Sequence, residues 1–140
     1  MRIVVDTDVF VSALLGAGAA NTVVSECLGG RFVPLMGPAL LGEYESLLGR
    51  SELFAKCRLT ERERQELFDI FIAKSRWIRV YFGWRPNLRD EGDNHIIELA
   101  VAGDAKAIVT RNTRDFTLAR QLHFPQLQVV TPTQLLKGDL

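Results

Sequence analysis

Four acidic residues lie where the predicted secondary structure can bring their carboxylates together: Asp6, Glu43, Asp93 and Asp115. Asp6 ends a short apolar segment, Asp93 begins a helix-like segment, and Asp115 follows a later apolar segment. If these apolar segments are parallel strands, ligand sites form at their carboxyl ends, because the chain turns there and leaves a crevice. We therefore expect the three aspartates at this edge, with Glu43 added from the border of an apolar helical stripe.

Carboxylates that converge on one crevice repel each other unless a cation neutralises them. The sequence shows no cysteine pair and no histidine cluster near these acids, so an all-oxygen site is expected. Such a site favours Mg²⁺ or Mn²⁺ over zinc. Either ion can polarise a phosphoryl oxygen and lower the pKa of a bound water, which is chemistry suited to phosphodiester hydrolysis.

Each acid also has a purely structural interpretation. Asp93 can cap its helix, and Asp115 can form an Asx turn with Asn112. Glu43 can be an ordinary solvated residue, with Glu45 on the opposite border of the same stripe. Asp6 is harder to explain in this way, because an acid that ends an apolar first strand belongs neither to a core nor to an ordinary surface.

Short apolar segments alternate with helical ones along the chain. We predict strands at residues 2–5, 32–36, 77–82, 106–110 and 127–131. We predict helices at residues 9–15 and 21–28, from Pro38, from a capping box at Thr60 to about Ser75, and at 93–102. Residues 39–75 then form a helical hairpin, with Leu67, Ile70 and Phe71 facing inward. This alternation predicts a three-layer α/β/α fold with a central, mostly parallel sheet of four or five short strands.

Composition limits the classes of protein to which this chain can belong. The chain has 140 residues with 47% hydrophobic content, which fits one domain over residues 1–140. Its 17 basic and 17 acidic residues cancel, so any nucleic-acid surface must be local. Two cysteines without metal-ligand spacing, and no apolar run of roughly 20 residues, lead us to expect a soluble cytoplasmic protein.

A basic and aromatic stretch at residues 70–88 contains no acid. Such a surface can follow RNA phosphates and stack unpaired bases. Its aromatic residues Trp77, Tyr81 and Phe82 can instead fill the core or a dimer interface. The arginines expected to contact RNA lie in loops near the acids: Arg85, Arg89, Arg111 and Arg114.

Five segments, in order, resemble motifs of the PIN domain family, in particular the VapC-like toxins of toxin–antitoxin pairs. The first is Asp6-Thr7-Asp8-Val9-Phe10-Val11-Ser12-Ala13-Leu14, and the second is Glu43-Tyr44-Glu45 followed by Leu47 and Leu48. The third is Asp90-Glu91-Gly92-Asp93-Asn94 with Glu98-Leu99-Ala100. The fourth is Val109-Thr110-Arg111-Asn112 with Asp115-Phe116, and the last is Val129-Val130-Thr131-Pro132.

The resemblance implies a metal site of Asp6, Glu43, Asp93 and Asp115 in an endoribonuclease that uses Mg²⁺ or Mn²⁺. It also implies supporting positions around the ligands: Asp8, Ser12, Thr110 and Asn112. Asp8 stands where the family usually has Asn, so it can add a ligand or weaken the site, and Asn112 replaces an acid found in some relatives. As a toxin of a type II pair, the protein would bind RNA, form a homodimer and be silenced by a cognate antitoxin.

Two other functions are compatible with parts of the sequence. The first strand and the Asp6-Thr7-Asp8 segment fit the opening of haloacid-dehalogenase-like phosphatases, in which the first Asp is a nucleophile. A catalytically degenerate PIN-like module that binds RNA or protein is the non-enzymatic alternative. A dinucleotide site at Gly16-Ala17-Gly18 is excluded, because these glycines follow a helix rather than a strand.

Overall fold

The computed structural model describes residues 1–16, 18–79, 94–114, 116 and 126–138. Several predicted features lie outside the described residues. They are Asp93, Asp115, Arg85, Arg89, Tyr81, Phe82 and the end of the strand predicted at 77–82.

In the described ranges, the centre of the molecule is a sheet of five parallel strands. The strands are β1 (Arg2–Val5), β2 (Val33–Met36), β3 (Arg76–Trp77), β4 (Ala107–Val109) and β5 (Gln128–Val130). Their order is β3-β2-β1-β4-β5, so the first strand lies in the middle. Ile3, Val4 and Val5 are at most 1% exposed, which explains why β1 is apolar at successive positions. The predicted parallel sheet is confirmed.

Within the described residues, six α-helices with defined bounds connect and cover the strands. They are α1 (Thr7–Leu14), α2 (Gly18–Leu28), α3 (Pro38–Leu48), α4 (Glu61–Lys74), α5 (Asn94–Ala102) and α6 (Pro132–Lys137), with a 3-10 turn at Ser51–Phe54. The predicted capping box is present, because Thr60 and Glu63 each satisfy the other's backbone amide. Thr131 and Gln134 form a second box at the start of α6.

The helices lie on both faces of the sheet, as the three-layer prediction requires. On one face α1 contacts α2 and α3, and α2 contacts α4 and α6. On the other face α5 packs against β1, β2 and β4. Gly103, just after α5, allows this close approach, since a Cβ there would collide with the side chains of Leu35 and Ile78.

Aromatic side chains join α1, α3 and α4 in the core. Phe10 lies at the centre, with ring centroids 5.4 Å from Tyr44, 5.9 Å from Phe68 and 4.9 Å from Phe71. The prediction that Ile70 faces inward is wrong, because this side chain is 46% exposed. Two residues that are two positions apart on a helix differ by about 200° in direction around the helix axis. Phe68 and Ile70 therefore lie on opposite faces, with Phe68 on the inward one.

The edge strand differs from its prediction. β3 has only two residues and begins at Arg76, before the predicted start at residue 77. Trp77 is 51% exposed, so the interpretation of this residue as core is wrong. A two-residue edge strand has a neighbouring strand on one side only, which leaves about half of Trp77 exposed. In the described part of the chain, no single helix has the length and apolar content needed to cross a membrane, although α1 and α2 pass that test jointly as a pair bent by 101°.

Candidate functional site

Asp6 lies at the carboxyl end of the central strand and begins α1. Its amide donates to Val109 O at 2.9 Å, which fixes Asp6 to the end of the neighbouring strand β4. The Oδ1 atom accepts a 2.8 Å hydrogen bond from the Thr7 amide, and Oδ2 accepts one of 2.8 Å from Thr110 Oγ1. Asp6 therefore caps the helix, but its burial at 9% exposure and its two donors also fix the carboxylate in one orientation.

Glu43 reaches the same place from α3. The next residue, Tyr44, is fully buried and donates a 2.7 Å hydrogen bond to Val5 O, which fixes this helix to the end of β1. Thr7 Oγ1 donates to Glu43 Oε1 at 3.1 Å. Thr7 thus binds Asp6 through its amide and Glu43 through its hydroxyl, so it fixes the positions of both carboxylates.

His95 is the residue that sequence reasoning missed. Its Nε2 lies 2.7 Å from Glu43 Oε2, so both oxygens of Glu43 have a hydrogen-bond partner. The expectation of a site without a neighbouring histidine is wrong. Residues 43 and 95 lie on different helices, α3 and α5, which sequence spacing cannot align. The one signal was the position of His95 two residues after Asp93 in a predicted site motif. The hydrogen bond from His95 lowers the pKa of Glu43, and partial burial opposes this effect.

Asp8 faces the same region from the first turn of α1. Its Oδ2 accepts a 3.2 Å hydrogen bond from the Arg111 amide, whereas Oδ1 is buried and has no partner among the described residues. Burial is the main cause that raises the pKa of Asp8, and the nearby charge of Glu43 adds to it. The carboxylate is therefore held in a place that disfavours its charge when no cation is present.

The structure gives the remaining predicted positions different surroundings. Thr110 is fully buried, and its hydroxyl also accepts from the Asn112 amide at 3.1 Å. Ser12 and Arg111 line one pocket together, and Arg114 is exposed. Asp6, Asp8 and Glu43 are brought to one edge of the sheet, while Asp93, Asp115, Arg85 and Arg89 lie outside the described residues. Within the described ranges, no three His, Cys, Asp or Glu side chains form a ready-made metal cluster.

Two pockets flank this acidic edge. One, of about 310 Å³, is lined by residues that follow β4 and β5 and by α1, including Ser12, Arg111 and Thr133. The other, of about 260 Å³, is lined by residues that follow β2 and by α5, including Leu40, His95 and Glu98. Because β2 and β4 are the two neighbours of β1, the pockets lie on opposite sides of Asp6.

The fold and the site place the chain among parallel α/β proteins that carry a polar, charged crevice at the carboxyl ends of their central strands. Comparison with protein families matches residues 2–114 to the PIN domain. The chain belongs to the PIN domain family, whose members are in general nucleases that use divalent metal ions. A search of curated proteins and a search of solved structures each returned no match.

The matched segment contains Asp6, Glu43, Asp93 and Thr110 and ends one residue before Asp115. Beyond the match, β5 continues the same sheet through its pairing with β4. Membership of this family replaces the phosphatase interpretation of the Asp6-Thr7-Asp8 segment.

Proposed function

We propose that this protein is a metal-dependent endoribonuclease that hydrolyses RNA phosphodiester bonds with Mg²⁺ or Mn²⁺. The observation that carries the proposal is the pair Asp6 and Glu43, held by Thr7 at the carboxyl end of the central strand. In a chain of a nuclease family, two fixed carboxylates at this edge are the core of a cation site. Asp93 and Asp115 would complete the ligand set.

The donor chemistry fits a hard divalent cation. Hydrogen bonds from neighbouring groups hold the carboxylates of Asp6 and Glu43, and carboxylate oxygens are the ligands that hard divalent cations prefer. Asp8 offers a buried oxygen without a partner among the described residues. When bound, the metal supplies Lewis acidity for the phosphoryl group and an acidified water. Thr7, Thr110 and His95 then act by keeping the carboxylates in place.

Arginine side chains are proposed to hold the RNA backbone beside the acids. Arg111 is exposed and lines the 310 Å³ pocket with Ser12 and Thr133, whose hydroxyls can donate to a phosphate. Among the described residues that line this pocket, none is acidic. Arg85, Arg89 and Arg114 are assigned the same role from their positions in the sequence.

The direct test is cleavage of a fluorophore-quencher RNA by purified variants. We expect Asp6→Asn to reduce the rate at least about 100-fold, because loss of an oriented carboxylate removes electrostatic stabilisation in the site. The fold should survive, since Asn can still accept from the Thr7 amide. Glu45→Gln is the matched control, as Glu45 is exposed and lines a different pocket. Full activity of Asp6→Asn would end the proposal.

Metal binding has its own readout. Because a ligand that binds only the folded state stabilises it by mass action, Mn²⁺ at about 100 times its Kd should add about 2.7 kcal/mol and raise the thermal midpoint. We expect Asp93→Asn and Glu43→Gln to lose most of this rise and Glu45→Gln to keep it. If neither Mn²⁺ nor Mg²⁺ at millimolar concentration shifts the wild-type midpoint, the degenerate RNA- or protein-binding module becomes the better account.

We further propose, from the resemblance to VapC-like proteins, that the chain is a single-domain cytoplasmic toxin of a type II pair. In this role it would form a homodimer and be silenced by a cognate antitoxin. We place the protein contact on the segment 39–75, where Leu53 and Ile70 are exposed apolar side chains. Light scattering on the purified chain tests the dimer, and a constant monomer mass at all concentrations would refute it.

A further inference from the structure

The 260 Å³ pocket beside Glu43 combines apolar walls with unmatched hydrogen-bonding groups. Pro38, Leu40 and Leu99 supply apolar surface, and His95 and Glu98 supply polar groups. His95 also contacts Glu43 directly, so the pocket shares a wall with the acidic edge. Its volume is below the roughly 300–1,000 Å³ of sites for drug-sized ligands, which fits one flat ring system rather than a whole nucleotide.

One carboxylate oxygen of Glu98 is a buried acceptor without a hydrogen-bond donor in the described part of the chain. Its Oε1 exposes less than 1 Å² and has no partner among the described residues. Leaving such an oxygen without a donor costs about 1–3 kcal/mol. The terminal torsion of a glutamate is broad and two-fold, so rotation can turn either oxygen toward a ligand in the pocket. A ligand with N–H groups would satisfy this carboxylate.

The first turn of α3 supplies the opposite chemistry. Gly37 caps this helix without a side-chain hydrogen bond, and Pro38 has no N–H. The amides of Ala39 and Leu40 are in the first turn, where no intrahelical acceptor exists. Both residues line the same pocket as Glu98. In the described part of the chain, the pocket lining therefore combines the first turn of α3, with its amides that lack an intrahelical acceptor, and the Glu98 carboxylate.

We propose that this pocket binds an unpaired guanine base of the RNA substrate, an inference that rests on the proposed function for its substrate class. Guanine presents two adjacent donors, N1–H and the 2-amino group, next to the acceptor O6. The carboxylate of Glu98 takes the two donors, and an amide of the α3 first turn donates to O6. Adenine and cytosine each place a ring-nitrogen lone pair where N1–H is needed, and uracil has a single N–H between two carbonyls. Unpaired RNA bases are commonly read on this edge.

The test measures binding of uncut RNA by fluorescence anisotropy in EDTA. The probes are oligoadenosines that carry one central guanosine, inosine, cytidine or uridine, with the all-adenosine chain as reference. We expect guanosine to tighten binding about tenfold, which corresponds to about 1.4 kcal/mol for the charged hydrogen bonds. Inosine lacks the 2-amino group and should lose most of this gain.

Two variants connect the preference to the pocket. Glu98→Gln replaces one acceptor oxygen by an amide donor and should reduce the guanosine advantage to about twofold or less, with the Kd of the all-adenosine chain unchanged. Ala39→Phe, at an exposed position of the pocket wall, should block the base and have the same effect. Glu45→Gln makes the same chemical change outside the pocket and should leave the preference intact.

Equal binding of all oligonucleotides by the wild type would overturn the proposal, as would a guanosine preference that survives both pocket variants. The proposed nuclease activity is tested separately from the guanine preference. A protein that prefers guanosine in EDTA but cuts no RNA with Mg²⁺ or Mn²⁺ would keep this inference and lose the nuclease. A protein that cuts RNA but shows no base preference would keep the nuclease proposal and lose this inference.

Discussion

Thr7 is the residue on which the geometry of the acidic edge depends. It contacts Asp6 through its amide and Glu43 through its hydroxyl, and His95 holds the second oxygen of Glu43. Part of this arrangement followed from the sequence, because Asp6 at a strand end and Glu43 on a helical stripe could be recognised by pattern. The role of His95 could not be recognised, because it depends on how α3 and α5 face each other.

Asp8 gives a prediction about charge. Burial raises the pKa of Asp8 above its usual 3.8, so folding favours the protonated form. The folded state therefore loses stability as pH rises from 3.8 through the folded-state pKa of Asp8, and it stays less stable above that pKa. In metal-free buffer at pH 7, we expect Asp8→Asn to raise the free energy of unfolding by roughly 0.5 kcal/mol, a value reduced by solvent screening.

Urea denaturation at pH 7 and at pH 3 measures this effect. The gain should vanish at pH 3, where the carboxyl is protonated in both states. Glu45→Gln, an exposed neutralisation, should change little at either pH. A variant less stable than the wild type at pH 7 would mean that the Asp8 charge is stabilising in the folded protein.

At the scale of elements, α3 is the helix that links the sheet to the acidic edge. The Tyr44 hydroxyl fixes it to Val5 O, and the Tyr44 ring packs against Phe10, Phe68 and Phe71. Tyr44→Phe keeps the ring but removes the 2.7 Å hydrogen bond. We expect a loss of about 1–1.5 kcal/mol in the free energy of unfolding.

Chemical denaturation measures this loss, and RNA cleavage shows whether Glu43 moves with the helix. Thr22→Val is the matched control, because it removes an exposed hydroxyl that bonds only within its own helix at 3.3 Å. An unchanged midpoint for Tyr44→Phe would show that packing alone fixes α3.

The elements themselves were largely predictable. Caps and apolar runs are local signals, so the capping box at Thr60 and the strands at 2–5 and 106–110 were found within a residue or so of their positions. The inward face of α4 was predicted only in part: Phe71 is buried as expected, but Phe68 rather than Ile70 faces inward, since both are apolar and only the partner helices decide between them. Trp77 is exposed because β3 lies at the edge of the sheet. The order of strands in the sheet cannot be read from local sequence signals.

For the molecule as a whole, the two cysteines report on the integrity of the core. Cys27 is 1% exposed, and burial raises the pKa of its thiol to about 12. At pH 8 the thiolate that reacts with alkylating reagents is therefore depleted about a thousandfold relative to an ordinary cysteine. We expect Cys27 in a Cys57→Ser protein to be labelled only when the whole domain unfolds.

Mass spectrometry after timed alkylation, with and without urea, checks this expectation. The Cys27→Ala protein serves as the matched control, because half-buried Cys57 then supplies the one remaining thiol. Rapid native labelling of Cys27 would show that α2 opens independently of the rest of the core.

The position of β1 in the middle of the sheet also affects synthesis of the protein. β1 is made first, yet its partner β4 begins at Ala107, and the bond from Thr110 to Asp6 spans 104 positions of the chain. Contacts so distant in sequence form late, because the intervening chain must be ordered before they bring any gain. A growing chain on the ribosome therefore carries Asp6 and Glu43 without the strand that fixes Asp6. On the proposed function, the growing chain is an inactive nuclease until β4 and Thr110 have been made, and an inhibitor would be needed only after that point.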